Sequence, residues 1–239
     1  MRIAQAIATA FREGSRWYSA DMANCTLHIN SLSGLRMLVA SPAMSPPVRQ
    51  FVVSVLFEAL AESPSPRNCL THFIAARGLG EASRLLDEST ASTASDRLIA
   101  MANSENTDAT YVAGAAAARI EAALVLDRGQ PLDVLVAHFR RATTDQEFNR
   151  YGVALFLIAT CDPARRSAIY QTLRNIQLSD SSIALVAGQV IAIIDSFEQA
   201  SDTGPWVRPF DSARSVSPMF SVAGEAWGDS QLLPPFCSR

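Results

Sequence analysis

The sequence predicts an all-α protein: a stack of antiparallel helix pairs, either a HEAT-like solenoid or an orthogonal helical bundle, with an extended Pro/aromatic C-terminal strap. Nearly every segment up to about residue 200 repeats its apolar residues with a helical period, and none sustains the alternation of a strand. The connecting segments are short, which makes consecutive helices antiparallel neighbours. We assign residues 1–200 to one all-helical domain with a candidate boundary near 89–95, and residues 201–239 to an extended tail.

The N-terminal half should contain three or four helices. Ile3, Ile7 and Phe11 form an apolar stripe in the first. Its Arg- and Ala-rich composition is also that of a mitochondrial transit peptide, although we favour an ordinary helix packed on the domain. The clearest helix follows Ser45-Pro46-Pro47, because serine caps helices and proline is tolerated in the first turn. Another is predicted over about 67–78.

The second half begins with "TASTASD" at 90–96, which we interpret as a low-complexity connector. Thr144 and Glu147 have the spacing of a capping box, in which each side chain satisfies a free backbone amide of the other residue. The last helix is apolar almost all round and is expected to sit centrally. Predicted helices lie near 95–103 and 108–128, after Pro131, after Thr144, after Asp162-Pro163, and from Asp180 or Ser181 to Phe197.

Two of these segments, "SPPVRQFVVSVL" and "CDPARRSAIYQTL", resemble the opening of a HEAT-type repeat helix. Each has a proline followed by arginine and an apolar stripe. Many helices share this feature, so we assign the chain to no family.

The composition is that of a globular chain without a basic surface. Apolar residues make up 49% of the sequence and charged residues 18%. A net charge of −3 argues against a nucleic-acid partner, which needs a basic face that neutralises several phosphates. No apolar run has the length of a transmembrane segment.

Lysine is absent, and all 20 basic residues are arginine. One interpretation is a GC-rich genome, which favours arginine and alanine codons. The other is selection against lysine as a site of ubiquitin or acetyl attachment, as in a protein delivered into a host cell.

Four widely spaced cysteines do not make a disulfide framework in a chain of this size. We therefore expect an intracellular, reducing compartment, the cytoplasm by default, with the mitochondrial matrix or a host cell as alternatives.

A paired Cys-x-x-His motif is the one candidate metal site. "NCTLH" and "NCLTH" place Cys25 with His28 and Cys69 with His72. Thiolate and imidazole ligands suit zinc, and this spacing puts both ligands of a pair on one helix face. Buried thiols beside histidines, or the echo of a duplicated helix pair, are the alternatives. We expect no metal.

Pro-separated aromatic residues dominate the segment after Ser201. They are too apolar for an inert tail, so they either fold back onto the helices or bind another subunit. The candidate partner-binding residues are Trp206, Phe210, Phe220, Trp227 and Phe236.

No nucleophile motif, phosphate loop or metalloprotease motif is present in the sequence. We therefore expect a non-enzymatic interaction or structural subunit with a protein partner or a second copy of itself. A lysine-free effector or modifying protein and a zinc-stabilised regulatory domain are the alternatives. No cofactor is expected apart from that candidate zinc.

Overall fold

The structure is a computed structural model that describes residues 1–17, 22–61, 69–104, 108–180, 182–202, 218–227 and 236–237. Over these residues the chain consists of packed helices without strands, which confirms the all-α prediction. The helices are α1 (Arg2–Trp17), α2 (Met22–Val39), α3 (Pro46–Leu60), α4 (Cys69–Glu81), α5 (Glu88–Ser104), α6 (Asp108–Asp127), α7 (Leu132–Arg141), α8 (Asp145–Cys161), α9 (Pro163–Ser179), α10 (Ala184–Asp202) and α11 (Pro218–Trp227), with a short 3₁₀ helix at Ser83–Leu85.

Local capping chemistry starts several helices where the sequence predicts them. The amide of Glu147 donates to the Thr144 hydroxyl over 3.2 Å, and the amide of Thr144 donates to the Glu147 carboxylate over 3.1 Å. This confirms the capping box of α8. The Asp162 carboxylate accepts from the amide of Ala164 at 3.1 Å and caps α9.

The connector predicted at 90–96 is wrong, because these residues belong to α5. Asp87 begins the helix, since its carboxylate accepts from the amide of Thr90 at 2.9 Å and from the Thr90 hydroxyl at 2.7 Å. Ala91, Ala94 and Ser95 lie on one face and are buried. A composition typical of linkers therefore forms a helix, because its alanines are buried against neighbouring helices.

Two apolar clusters form the core, and α6 contributes to both. One contains side chains of α1 to α6, and the other contains side chains of α6 to α11. The small residues of α6 allow close helix approach: a Cβ on Gly80 of α4 would lie 2.9 Å from the Cα of Ala116. The helix α8 is buried without interruption from Asn149 to Ala159.

The central position expected for the last predicted helix is wrong. That helix, α10, buries Ala187, Val190 and Ile194 but leaves Leu185 75% exposed. The central helices are α6 and α8, whose alanines and glycines let neighbours approach from several sides.

An extended conformation for all of residues 201–239 is also wrong, because Pro218–Trp227 form the helix α11. Proline in the first turn of a helix costs no internal hydrogen bond. Met219, Val222, Ala223 and Ala226 are buried, and α11 packs on α6 and α8. Among the helices of the described ranges, none has both the length and the apolar character needed to cross a membrane.

Candidate functional site

The two histidines of the paired motifs lie on neighbouring helices, α2 and α4. His28 is buried, its ring stacks on Phe11 with centroids 4.4 Å apart, and its Nδ1 lies 3.0 Å from the Phe11 carbonyl oxygen. A carbonyl only accepts, so Nδ1 donates, and Nε2 lies within hydrogen-bond distance of the Thr71 hydroxyl, at 3.2 Å. Thr71 directly precedes His72, which is fully buried. The fold therefore brings the two motifs together at one end of the α2–α4 pair.

A metal bound by His28 would have to displace the Thr71 hydroxyl from Nε2. The donation from Nδ1 to a carbonyl is an orientation that metal-ligating histidines also use. The side chains of Cys25 and Cys69 lie outside the described part of the chain. Among the side chains that are described, no three from histidine, cysteine, aspartate and glutamate are close enough to hold an ion. The zinc site stays a prediction.

The end of the chain folds back onto the helices. Phe236 is 4% exposed, and the guanidinium groups of Arg84 and Arg119 lie 5.4 and 5.7 Å from its ring centroid. Both distances are within the range of cation–π interactions. The C-terminal aromatics were expected either to fold back onto the helices or to bind another subunit. Phe236 folds back onto the helices of its own chain.

The other C-terminal aromatics divide into two groups. Phe220 and Trp227 belong to α11, but their side chains are not described. Trp206 and Phe210 lie wholly outside the described residues.

A disulfide joins Cys237 to Cys161 at the end of α8, with the two Cα atoms 5.3 Å apart. The sequence did not lead us to expect this bond, because the two cysteines are 76 positions apart and belong to no spacing motif. Disulfides persist in oxidising environments. The bond therefore disagrees with the expected reducing compartment, which stays a prediction.

Arg150 forms a buried ion pair with Glu121. Its Nε donates to Glu121 over 2.8 Å and its Nη1 donates to Asp96 over 3.0 Å. The Ser95 hydroxyl donates to the same Glu121 oxygen at 2.8 Å. Burial acts to lower the pKa of Arg150, but attraction to Glu121 leaves that pKa above its ordinary value. Ser95 is fully buried, so no substrate reaches this Ser–Glu pair, and the group serves to join α5, α6 and α8.

Exposed apolar side chains are the remaining candidates for function. The most exposed large apolar side chains of the described residues fall in two pairs. On α1 and α2, Ile3 and Met37 are each 73% exposed, and on α9 and α10, Leu178 and Leu185 are 87% and 75% exposed. We call these the α1–α2 pair and the α9–α10 pair.

The α1–α2 pair lies at one end of a helix contact. Ile7 of α1 faces Gly34 of α2, where an added Cβ would lie 3.8 Å from Ile7 Cγ2. Ile3 is one helical turn before Ile7, and Met37 is one turn after Gly34. Because the helices are antiparallel, both positions lie at the same end of this contact.

The α9–α10 pair flanks one turn of the chain. Gln177 of α9 faces Gly188 of α10, where an added Cβ would lie 3.1 Å from Gln177 Nε2. Leu178 and Leu185 lie within one turn of this contact. The sequence analysis did not predict that either leucine is exposed. The available signal was that each leucine lies out of phase with the buried apolar stripe of its own helix.

The chain matches no protein-family model, no curated protein and no solved structure.

Proposed function

We propose that the chain is a non-enzymatic helical interaction subunit that bridges partners in a larger assembly. One observation carries the proposal: the α1–α2 pair lies on the helices of one apolar cluster, and the α9–α10 pair lies on the helices of the other. Two separate apolar surfaces suit a subunit that binds two proteins at once. These are two different neighbours or two further copies of the chain.

Energetics support this role. Full burial of one leucine, isoleucine or methionine side chain stabilises an interface by about 1.5–3 kcal/mol. A few such anchors account for most of the energy of many interfaces. Ile3, Met37, Leu178 and Leu185 contribute little of this kind to the isolated chain, because they lie largely in solvent.

The buried polar groups also favour a structural role. Ser95, Glu121 and Arg150 use their polar atoms on one another. Arg36 of α2 likewise makes a two-point contact with Glu81 of α4, at 2.8 and 2.6 Å. These groups fix helix positions, which a rigid subunit needs.

The C-terminal strap belongs to the proposal through Trp206, Phe210, Phe220 and Trp227. Deletion of residues 201–239 is a poor test, since it removes α11 and Phe236 from the core. The variant Trp206→Ala with Phe210→Ala tests partner binding by the strap while α11 is retained.

The decisive experiment compares two double variants, Ile3→Gln with Met37→Gln, and Leu178→Gln with Leu185→Gln. Tagged chains are expressed in the native source, crosslinked and purified, and recovered proteins are quantified by mass spectrometry. Light scattering reports self-association. Each variant should lose a specific partner or a self-contact while keeping its thermal midpoint, because exposed substitutions change stability by about 0.5 kcal/mol or less.

The matched control is Gln5→Ala with Gln171→Ala, which changes exposed polar residues on α1 and α9. It should retain every contact of the wild-type chain. Recovery of the same proteins, in the same amounts, by wild type and both double variants would contradict the bridging role.

A lysine-free effector acting in a host cell is the second candidate, and the absence of lysine from the sequence favours it. Its test is the lysine content of neighbouring proteins of the same genome. Neighbours equally poor in lysine would remove its support.

A further inference from the structure

A cavity of about 240 Å³ lies between the start of α3 and the turn that leads into α5. Arg49 and Gln50 of α3 line one side, and Asp87 and Thr90 line the other. Arg128, just after α6, completes the polar lining.

Arg49 is a buried cation without an anionic partner in the part of the chain that the structure describes. It is 9% exposed. Its Nε donates to the Val39 carbonyl over 3.3 Å, and its Nη2 donates to the carbonyls of Ser41 and Met44 over 2.9 and 3.1 Å. Carbonyls at and after the end of α2 supply only partial negative charge, so no full counter-charge among the described residues faces Arg49.

Arg128, which is exposed, is also held by backbone carbonyls, on the opposite side of the cavity. Its Nη2 donates to the carbonyls of Leu86 and Arg84 over 2.8 and 3.2 Å. No carboxylate of the described residues pairs with it. Backbone carbonyls thus hold both guanidinium groups in place, and both residues line the cavity.

Asp87 is the sole carboxylate among the described residues of the lining. The Thr90 hydroxyl and amide hold the pKa of Asp87 below its ordinary value, so the group is ionised at neutral pH. Two cations and one anion leave a net charge of +1 at the cavity wall. The neighbouring Arg84 does not add to it, because Arg84 is paired with Asp127 at 2.7 Å.

We propose that this cavity binds a small organic oxyanion, whose carboxylate or phosphate group lies between Arg49 and Arg128. A buried charge is costly unless a counter-charge accompanies it. Arginine forms two-point hydrogen bonds with carboxylate and phosphate, and these are stronger than bonds between neutral groups.

The cavity also limits the rest of the ligand. Its volume is below the roughly 300–1,000 Å³ of sites for drug-sized molecules, which favours a small metabolite. Val53 and Leu86 give it an apolar wall, and Gln50 supplies both a donor and an acceptor. Asp87 favours a ligand that carries a hydrogen-bond donor away from its acidic group.

Isothermal titration calorimetry at fixed ionic strength tests the proposal, with inorganic phosphate and succinate as separate probes. Saturable binding of phosphate alone assigns the phosphate class, and saturable binding of succinate alone assigns the carboxylate class. Binding of both supports a general oxyanion site. If neither phosphate nor succinate shows saturable binding, the proposal is overturned.

Three variants locate the binding. Arg128→Gln should weaken it by about tenfold or more, the effect of losing one charge-assisted contact. Arg174→Gln, which changes an exposed arginine of α9, is the control and should bind as wild type. Asp87→Asn keeps a residue that caps helices but removes the opposing charge, so affinity should rise severalfold.

Circular dichroism melts establish that each variant is folded, and Asp87→Asn decides the question if Arg128→Gln unfolds. Unchanged affinity in a folded Arg128→Gln overturns the proposal. An unchanged or lower affinity in a folded Asp87→Asn variant also overturns the proposal.

Discussion

Arg150 on α8 donates to Glu121 on α6 over 2.8 Å, and both side chains are buried. Ser95 on α5 donates to the same carboxylate oxygen. This contact therefore ties together three helices that otherwise meet largely through apolar side chains. Its contribution to stability depends on both charges being present, because either one alone would be a buried, unpaired ion.

Glu121→Gln should destabilise the protein by roughly 3–5 kcal/mol, since Arg150 stays buried without its main counter-charge. The double variant Glu121→Leu with Arg150→Met should recover most of that loss, because it buries no charge. Urea unfolding measures both. The control is Arg12→Gln, which breaks the exposed Arg12–Glu58 pair and should cost about 1 kcal/mol or less. Equal losses in the single and double variants would contradict the role of the buried pair.

The Cys161–Cys237 disulfide should stabilise the chain by roughly 2–4 kcal/mol, because it closes a long loop of the unfolded chain. Cys161→Ser with Cys237→Ser should lower the urea midpoint by the same amount as a reducing agent does for wild type. The reducing agent should leave the double variant unchanged. A wild-type midpoint that is insensitive to reduction would show that the bond contributes nothing. Thiol labelling in the native source establishes whether the bond exists there.

Elements defined by local chemistry could be predicted from the sequence, and elements defined by distant partners could not. The caps at Thr144 and Asp162 depend on residues two or three positions away. Ala91 and Ala94 look like linker residues until neighbouring helices cover them. Leu185 belongs to a helix that is apolar on most sides. Its exposure depends on which neighbouring helices pack on α10, and the sequence of α10 does not show this.

The candidate sites follow the same rule. The sequence places His28 and His72 in matched motifs, but it gives no sign that Thr71 occupies the Nε2 atom of His28. Arg49 and Arg128 are 79 residues apart in the sequence and belong to no common motif. Only the folded chain brings both to one cavity.

Gly14→Ala should destabilise the protein by about 1–3 kcal/mol, the usual cost of overpacking. An added Cβ on Gly14 would lie 2.9 Å from the Cβ of His28 and would force α1 away from α2. Gly34→Ala on the same helix pair is the matched control, because its Cβ would lie 3.8 Å from Ile7 in ordinary contact. It should stabilise by roughly 0.5–1 kcal/mol, as alanine does in place of a helical glycine. Thermal or urea unfolding measures both, and equal effects would contradict this close approach of the two helices.

Glu147 should make stability depend on acid pH. Hydrogen bonds from the Thr143 backbone, and then from that of Thr144, hold the pKa of Glu147 below its ordinary value of 4.5. Its contribution is therefore full above the ordinary pKa and is lost as pH falls through the lowered folded pKa. Glu147→Gln should cost about 0.5–1 kcal/mol at neutral pH, and this cost should shrink as the pH falls below 4.5, as measured by urea unfolding. A cost that is independent of pH would show that the charge is irrelevant to the cap.

Purified protein should contain no stoichiometric zinc, because both ring nitrogens of His28 already have hydrogen-bond partners, the Phe11 carbonyl for Nδ1 and the Thr71 hydroxyl for Nε2. Elemental analysis measures the metal, and a chelator should leave the thermal midpoint unchanged. His28→Ala should still lower stability by about 2 kcal/mol or more, since it removes the stack on Phe11 and two buried hydrogen bonds. This loss should be the same with and without added zinc. One equivalent of zinc, together with a fall in the midpoint on chelation, would instead show that Cys25, His28, Cys69 and His72 converge on an ion.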